Sequence, residues 1–96
     1  MSHIRYLVSY DICAPKRLRR VAKALEGYGT RLQFSVFECP LDKLRLAELR
    51  AVLDEIIKHD EDQVLFVSLG LLAAEDTVVI EALGLPYTQR TRLTIV

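Results

Sequence analysis

The sequence is poor in cysteine and has no long apolar run. Its 96 residues include two cysteines, Cys13 and Cys39, which are too few for a disulfide framework and lack the spacing of a metal site. We therefore expect a reducing, cytoplasmic environment, with both thiols serving as small hydrophobic side chains. No apolar run approaches the roughly 20 residues that span a bilayer, and Asp11 interrupts the first run too early for a signal peptide. We expect no association with a membrane.

Several catalytic motifs are also missing. The sequence has neither a Gly-rich loop that cradles phosphates nor an HExxH zinc motif. His3 and His59 are isolated, which is typical of surface histidines. Three serines (Ser9, Ser35 and Ser68) have no evident partner base, and this disfavours a nucleophilic hydrolase.

A formal net charge of zero hides an uneven distribution of charge. Up to Phe37 the acids are Asp11 and Glu26, whereas all the others fall between Glu38 and Glu81. The basic residues of the first part are Arg5, Lys16, Arg17, Arg19, Arg20, Lys23 and Arg31. A polyanion responds to local charge, so a nucleic-acid surface is compatible with the neutral total. Taken alone, such a cluster is more often a solvated helix face.

The first third of the chain predicts a strand followed by a helix. "HIRYLVSYD" alternates between apolar and polar positions, and Pro15 suits the first turn of a helix. The expected buried stripe of that helix is Leu18, Val21, Ala22, Leu25 and Tyr28. Its solvent side then carries Lys16, Arg19, Arg20 and Lys23. Gly27 and Gly29 should end the helix, one of them as a left-handed cap.

The remainder predicts a strand, a second helix and three further strands. "RLQFSVFECPL" (31–41) is rich in aromatic and β-branched residues, and Asp42 suits the N-cap of a helix, with Leu41 and Leu46 spaced as a hydrophobic staple. The predicted buried stripe of this helix is Leu49, Val52, Leu53, Ile56 and Ile57. After the acidic turn "HDEDQ", strands are expected in "VLFVSLG", "TVVIEAL" and "RLTIV".

This order predicts one α+β domain over residues 1–96, with two helices on one face of a mainly antiparallel sheet. The arrangement resembles a ferredoxin-like sandwich. That fold has two strands between its helices, so segment 31–41 either bends near Ser35 to supply both or forms a single strand.

Asp11 has two interpretations. A carboxylate between a strand and a helix commonly caps the helix. Alternatively it is a ligand for magnesium, which prefers oxygen ligands and one or two carboxylates. One Asp is too little for a catalytic metal, but a two-fold dimer would place two copies of Asp11 opposite each other. The aromatic residues near the basic ones (Tyr6, Tyr10, Phe34 and Phe37) alternate along strands, which makes core packing the expected role for most of them; Tyr10, beside Asp11, stays open as a site residue.

Three stretches together, "YLVSYDI" before a basic helix, "YGTRLQFSVFEC" and "VLFVSLG", resemble the small CRISPR-associated endoribonuclease family, the smaller of the two core proteins of spacer acquisition. The resemblance covers essentially the whole chain. It implies a ferredoxin-like homodimer in which the C-terminal strand "RLTIV" extends onto the partner's sheet. It also implies a metal-dependent phosphodiesterase, with magnesium or another divalent cation held by Asp11 from both chains.

The resemblance also nominates residues for the site. Tyr10 is placed with Asp11 in catalysis, and the substrate-binding candidates are Arg20, Arg31 and Phe37, together with Arg17 and Arg19 of the same basic helix. Leu18 stands where relatives often carry a basic residue, and Cys13 where small polar or acidic residues are common. Both departures bear on the number of phosphate contacts.

Other functions remain open from sequence. Members of the same family also act as a dimeric scaffold that bridges copies of the integrase partner and holds duplex DNA, a role in which Asp11 is dispensable. A regulatory ligand-binding module would show no nucleic-acid affinity even at low salt. A ribonuclease toxin of similar architecture would arrest growth on expression. Phosphate contacts do not distinguish RNA from DNA.

Overall fold

The computed structural model describes residues 3–70 and 80–87, and their order of elements has the predicted pattern. The elements are β1 (Ile4–Asp11), α1 (Pro15–Glu26), β2 (Thr30–Gln33), β3 (Val36–Leu41), α2 (Lys43–Ile56), β4 (Gln63–Ser68) and β5 (Ile80–Gly84). All strand pairs are antiparallel, in the order β2-β3-β1-β4-β5. The predicted fold class, an α+β sandwich of ferredoxin-like type, is confirmed.

Segment 31–41 supplies two strands and not one. β2 ends at Gln33, β3 begins at Val36, and residues 34–35 form the turn of a hairpin. The pairing register shifts between Arg31 and Gln33, which marks a bulge in β2. The bend that the ferredoxin-like pattern requires therefore falls at Phe34 and Ser35.

The two helices cover one face of the sheet. Along β1 the buried residues are Tyr6, Val8 and Tyr10, and the residues between them point to the opposite face. The core is completed from the helices and the other strands by Val21, Leu25, Phe37, Cys39, Leu41, Leu49, Leu53, Ile57, Val64 and Phe66. Asp11 thus lies on the face that the helices leave uncovered.

Gly29, the second glycine after α1, is required because the backbone of β3 passes close to it. Gly27 ends the helix in a right-handed conformation (φ −78°), and its N–H donates to the Ala24 carbonyl at 3.1 Å, so the predicted left-handed cap is wrong. Gly29 also has an ordinary φ. A Cβ on Gly29 would lie 2.2 Å from the Glu38 carbonyl oxygen, so a side chain has no space there.

Helix α2 begins as predicted, at an Asp42 cap whose side chain accepts a 2.7 Å hydrogen bond from the Arg45 N–H. Its buried stripe runs through Leu49, Leu53 and Ile57, four residues apart. Val52 was expected in this stripe but is 40% exposed, because it lies one residue off the line that faces the sheet.

Two of the predicted strands reach beyond the described residues. "TVVIEAL" (77–83) overlaps β5, although its first three residues lie outside the described part, as does all of "RLTIV" (92–96). Within residues 3–70 and 80–87 no helix has the length and apolar character to cross a membrane.

Candidate metal and nucleic-acid site

Asp11 stands at the end of the central strand with its side chain exposed. It does not cap the helix that follows: the N-cap of α1 is Ala14, and no side chain bonds to the first turn from that position. Among the described residues the Asp11 carboxylate forms no ion pair. Its oxygen atoms are thus available to a ligand from outside the fold.

A different carboxylate, Asp62, holds the start of α1. Asp62 is 0% exposed. Its Oδ1 accepts from the Cys13 N–H at 2.9 Å, and its Oδ2 accepts from the Lys58 N–H and from Nε of Arg17, each at 2.8 Å. Burial by itself would raise the pKa of this carboxyl, but the hydrogen bonds from Arg17 and the two N–H groups outweigh burial and lower the pKa to about 2. Asp62 is therefore ionised and fully bonded in the folded protein.

This use of Asp62 was missed by sequence reasoning, which interpreted "HDEDQ" as an acidic turn. Its interaction with Lys58, four residues earlier, is local, but Cys13 and Arg17 come from the other end of the chain. The sequence contains no signal that singles out Asp62 from Asp60 or Glu61, apart from its place directly before an apolar strand.

Tyr10 and Phe37 lie together on the helix-covered face, opposite to Asp11. Tyr10 is 4% exposed and Phe37 is 0% exposed, and their ring centroids are 6.2 Å apart. Burial raises the pKa of the Tyr10 hydroxyl, so it remains protonated and donates a 3.2 Å hydrogen bond to the Phe34 carbonyl. The Tyr10 N–H bonds the Ser35 carbonyl at 3.1 Å. Tyr10 thus joins the end of β1 to the tip of the β2–β3 hairpin.

Arg31 belongs to the same cluster as Phe37. Its guanidinium lies 5.2 Å from the Phe37 ring centroid, and the two residues are paired across β2 and β3. Arg31 is exposed, so its guanidinium lies over one ring of the core and is still accessible to solvent. The structure therefore brings Tyr10, Phe37 and Arg31 into one group beside the hairpin.

The basic residues of α1 divide into two kinds. Arg17 bonds Asp62 and also pairs with Glu61 at 2.9 Å, so its guanidinium is occupied within the fold. The exposed basic side chains that form no ion pair with the described residues are Lys16, Arg19, Arg20 and Lys23. They form a positive surface, which we call the basic face of α1.

The two departures noted in the sequence have structural reasons. Leu18 packs against the core, so an apolar residue suits its place on α1. The Cys13 thiol lies 3.0 Å from the Glu61 carbonyl oxygen, within the contacts that attach the start of α1 to the loop before β4.

The uncovered face of the sheet is apolar around its centre. Half-buried apolar side chains from four strands share this face with Ser9, and they are Leu7, Val36, Leu65, Val67, Ile80 and Ala82. Arg5 and Glu38 form an ion pair on the same face. Asp11 lies at one end of this surface, next to Gln63 of β4.

In a single chain, Asp11 is not part of a cluster of metal ligands among the described residues. No group of three or more His, Cys, Asp or Glu side chains within the described ranges is placed to hold an ion. The carboxylate has the right chemistry for a hard divalent cation, but it is one ligand of the several such an ion needs. The described residues of one chain therefore supply a single carboxylate ligand and not a complete metal site.

The chain matches one protein family over most of its length. Residues 4–74 match the sequence model of the family described as CRISPR associated protein Cas2. A CRISPR-associated endoribonuclease Cas2 from Geobacter sulfurreducens is 47% identical over 70 residues, 73% of this chain and 73% of the relative. A second one, Cas2 1 of Rhodospirillum rubrum, is 44% identical over 80 residues, 82% of this chain and 76% of the relative.

Solved structures have the same fold. The crystal structure of Streptococcus pyogenes Cas2 at pH 6.5 has a TM-score of 0.65 and 39% identity, and covers 69% of this chain and 86% of that one. A hypothetical protein from Thermus thermophilus has a TM-score of 0.63 and 27% identity, over 97% and 93% of the two chains. The family match includes the strand end at Asp11, the hairpin and the Asp62 loop.

Proposed function

The chain belongs to the Cas2 family of CRISPR-associated proteins, as its motifs predicted, and we propose that it is a metal-dependent endonuclease that works as a homodimer. The single observation behind this proposal is the state of Asp11. Its carboxylate is exposed at the end of the central strand, on the uncovered face, and it neither caps α1 nor forms an ion pair with a described residue. Relatives named endoribonuclease or endonuclease support a phosphodiester as the substrate.

The homodimer would complete the site. Apolar side chains on the uncovered face favour a protein partner over water. A two-fold axis through that face would set each residue near its own copy, including Asp11 at its end. The C-terminal segment "RLTIV" is proposed to extend onto the partner's sheet.

Two Asp11 carboxylates would hold the divalent cation, for which magnesium is the best match to oxygen ligands. When bound, the ion supplies a water activated for attack and a positive charge next to the scissile phosphate. The chain's part is to hold each carboxylate exposed at a strand end.

The arginines would position the nucleic-acid backbone. Arg19 and Arg20 on the basic face of α1, with Arg31 on β2, are exposed and suited to charge-assisted hydrogen bonds with phosphate oxygens. Arg17 was also predicted to bind the substrate, but its ion pair with Asp62 gives it a structural role instead. Tyr10 and Phe37 are buried, so we assign them to holding Arg31 and the hairpin in place.

Cleavage of labelled single-stranded RNA and duplex DNA tests the proposal, with magnesium and with a chelator. Asp11→Asn should abolish the magnesium-dependent cutting, because it removes the ligand charge without changing the side-chain shape. Asp60→Asn is the matched control: Asp60 is another exposed aspartate, outside the proposed site, and its variant should cut as the native protein does. Equal cutting by all three proteins would indicate a contaminant and refute the proposal.

A scaffold is the second candidate, and the basic face of α1 favours it. This surface would bind polyanions without any metal, and within residues 3–70 and 80–87 no cluster of possible ligands accompanies Asp11. In this role the dimer would bridge subunits of the CRISPR integrase and hold duplex DNA during spacer integration. The expected signature is salt-sensitive duplex binding that survives Asp11→Asn and is lost on replacing Arg19 and Arg20 by Glu. Loss of binding in Asp11→Asn would count against it.

A further inference from the structure

We propose that Phe34, at the tip of the β2–β3 hairpin, is a base-stacking residue that makes the site take unpaired nucleotides. This deepens the proposed function and rests on it, since nucleic acid must be the ligand. It specifies the substrate class as unpaired nucleotides. Phosphate contacts cannot specify this, because they are the same for every sequence and for paired and unpaired strands.

The exposure of Phe34 is the first observation. Its side chain is 77% exposed, the highest value among the large apolar side chains in the described part of the chain. The neighbouring aromatic positions, Tyr10 and Phe37, are buried, so the core is filled without Phe34. An aromatic ring held in water at the tip of a turn has a face open for stacking.

The second observation is that the turn is fixed. The Tyr10 hydroxyl bonds the Phe34 carbonyl at 3.2 Å, and the Tyr10 N–H bonds the Ser35 carbonyl at 3.1 Å. The backbone that directly follows the Phe34 side chain is therefore attached at two carbonyls to a buried residue. Because Tyr10 directly precedes Asp11, the same bonds place the tip of the hairpin beside the strand end that carries the proposed metal ligand.

Charge supplies the third observation. From Thr30 to Phe37 the hairpin contains one basic residue, Arg31, and no acid. An exposed aromatic ring next to an exposed arginine is the combination with which proteins bind single strands, the ring stacking on a base and the cation contacting the backbone. In a duplex the faces of the bases are covered by their neighbours, so a stacking ring favours unpaired nucleotides.

The absence of tryptophan makes the test direct. Phe34→Trp introduces a single tryptophan, whose fluorescence is quenched when a base stacks on it. The matched control is Leu44→Trp, because Leu44 is 67% exposed and also stands next to basic residues, Lys43 and Arg45. Both proteins are titrated with oligothymidylate and oligouridylate of about 12 nucleotides and with a blunt DNA duplex. The buffer contains a chelator, so that binding is read without cleavage.

The expected result is strong quenching of Phe34→Trp by both single strands, weak quenching by the duplex, and little change in Leu44→Trp. Phe34→Ala should weaken single-strand binding roughly five- to a hundredfold. It should leave the slope of log affinity against log salt unchanged, since no charge is removed. Arg31→Ala should reduce that slope.

Three results would overturn the proposal. Equal quenching of both tryptophans, or equal affinity of Phe34→Ala and the native protein, would show that the ring does not stack. An emission maximum of Phe34→Trp that shifts to the blue as protein concentration rises, without nucleic acid, would show that a second copy covers the ring. Each of these results can occur while magnesium-dependent cleavage persists, and stacking can persist in a protein that does not cleave. The stacking proposal and the nuclease proposal can therefore fail separately.

Discussion

The buried carboxylate of Asp62 accepts a 2.8 Å hydrogen bond from Nε of Arg17, although 45 residues separate them in the chain. Since Asp62 also accepts from the Cys13 N–H, it fastens both the turn after Asp11 and the first turns of α1 to the start of β4. The neighbouring residue, Gln63, pairs with Asp11 across the two strands. The end of β1, which carries the proposed metal ligand Asp11, is thereby held both through the turn that follows it and through Gln63 of β4.

Asp62→Ala should lower the free energy of unfolding by about 3 kcal/mol, because it leaves two partly buried N–H groups without their acceptor and breaks the partly buried ion pair with Arg17. Urea denaturation measures the change. Asp60→Ala is the matched control, being an exposed aspartate two residues earlier, and should change stability by about 0.5 kcal/mol or less. Similar effects of the two substitutions would contradict the structural role of Asp62.

Acid should remove part of the stability that Asp62 provides. Its pKa is about 2 in the folded protein and near 3.9 in an unfolded chain, so its contribution is complete above the unfolded value and is lost as the pH falls towards 2. The difference in unfolding free energy between the native protein and Asp62→Asn should therefore shrink from about pH 5 downward. Urea curves across this range measure it. A constant difference would refute the lowered pKa.

Two glycines near the end of α1 should respond in opposite ways to alanine. Gly27→Ala should raise stability by about 0.5 kcal/mol, because Gly27 is right-handed helical and a Cβ there meets its nearest atom, the Ala24 carbonyl oxygen, at 3.5 Å. Gly29→Ala should lower stability by about 2 kcal/mol, because its Cβ would collide with the backbone of Glu38. Thermal unfolding compares them directly. A neutral Gly29→Ala would show that β3 moves away easily.

The two cysteines should differ in reactivity. Burial, and after it the charge of Glu38, raises the pKa of the Cys39 thiol to about 11, and Cys39 is 0% exposed, whereas Cys13 is exposed. Iodoacetamide at about pH 8 should label Cys13 in the folded protein and Cys39 only after unfolding. Mass spectrometry of the digested protein locates the label. Rapid labelling of Cys39 under native conditions would mean that the core opens readily.

Tyr10→Phe tests whether the Tyr10 hydroxyl only positions the β2–β3 hairpin or takes part in the cleavage reaction. Losing the hydrogen bond to the Phe34 carbonyl should lower stability by about 1 kcal/mol. Magnesium-dependent cleavage should stay within about tenfold of the native rate, since the hydroxyl lies on the face opposite to Asp11. Steady-state kinetics beside Asp11→Asn measure the difference. If Tyr10→Phe is as inactive as Asp11→Asn, the hydroxyl takes part in the reaction.

Much of this fold follows from local pattern. Alternation along β1, the helical spacing of Val21 and Leu25, and the Asp42 cap each depend on residues within one element, so their physics is visible in the printed sequence. The motif "YLVSYDI" also placed Asp11 at a strand end, where the structure has it. The bounds of α1 and the first position of α2 therefore required no tertiary information.

Contacts between distant segments decided the rest. The start of α1 is attached to Asp62, which follows α2 in the chain, and no side chain caps the helix from its N-cap, Ala14. Whether 31–41 makes one strand or two depended on a turn whose carbonyls bond Tyr10 of another strand. Periodicity reports which face of an element is apolar, but a hydrogen bond between residues far apart in sequence exists only once the fold has placed its donor and acceptor together.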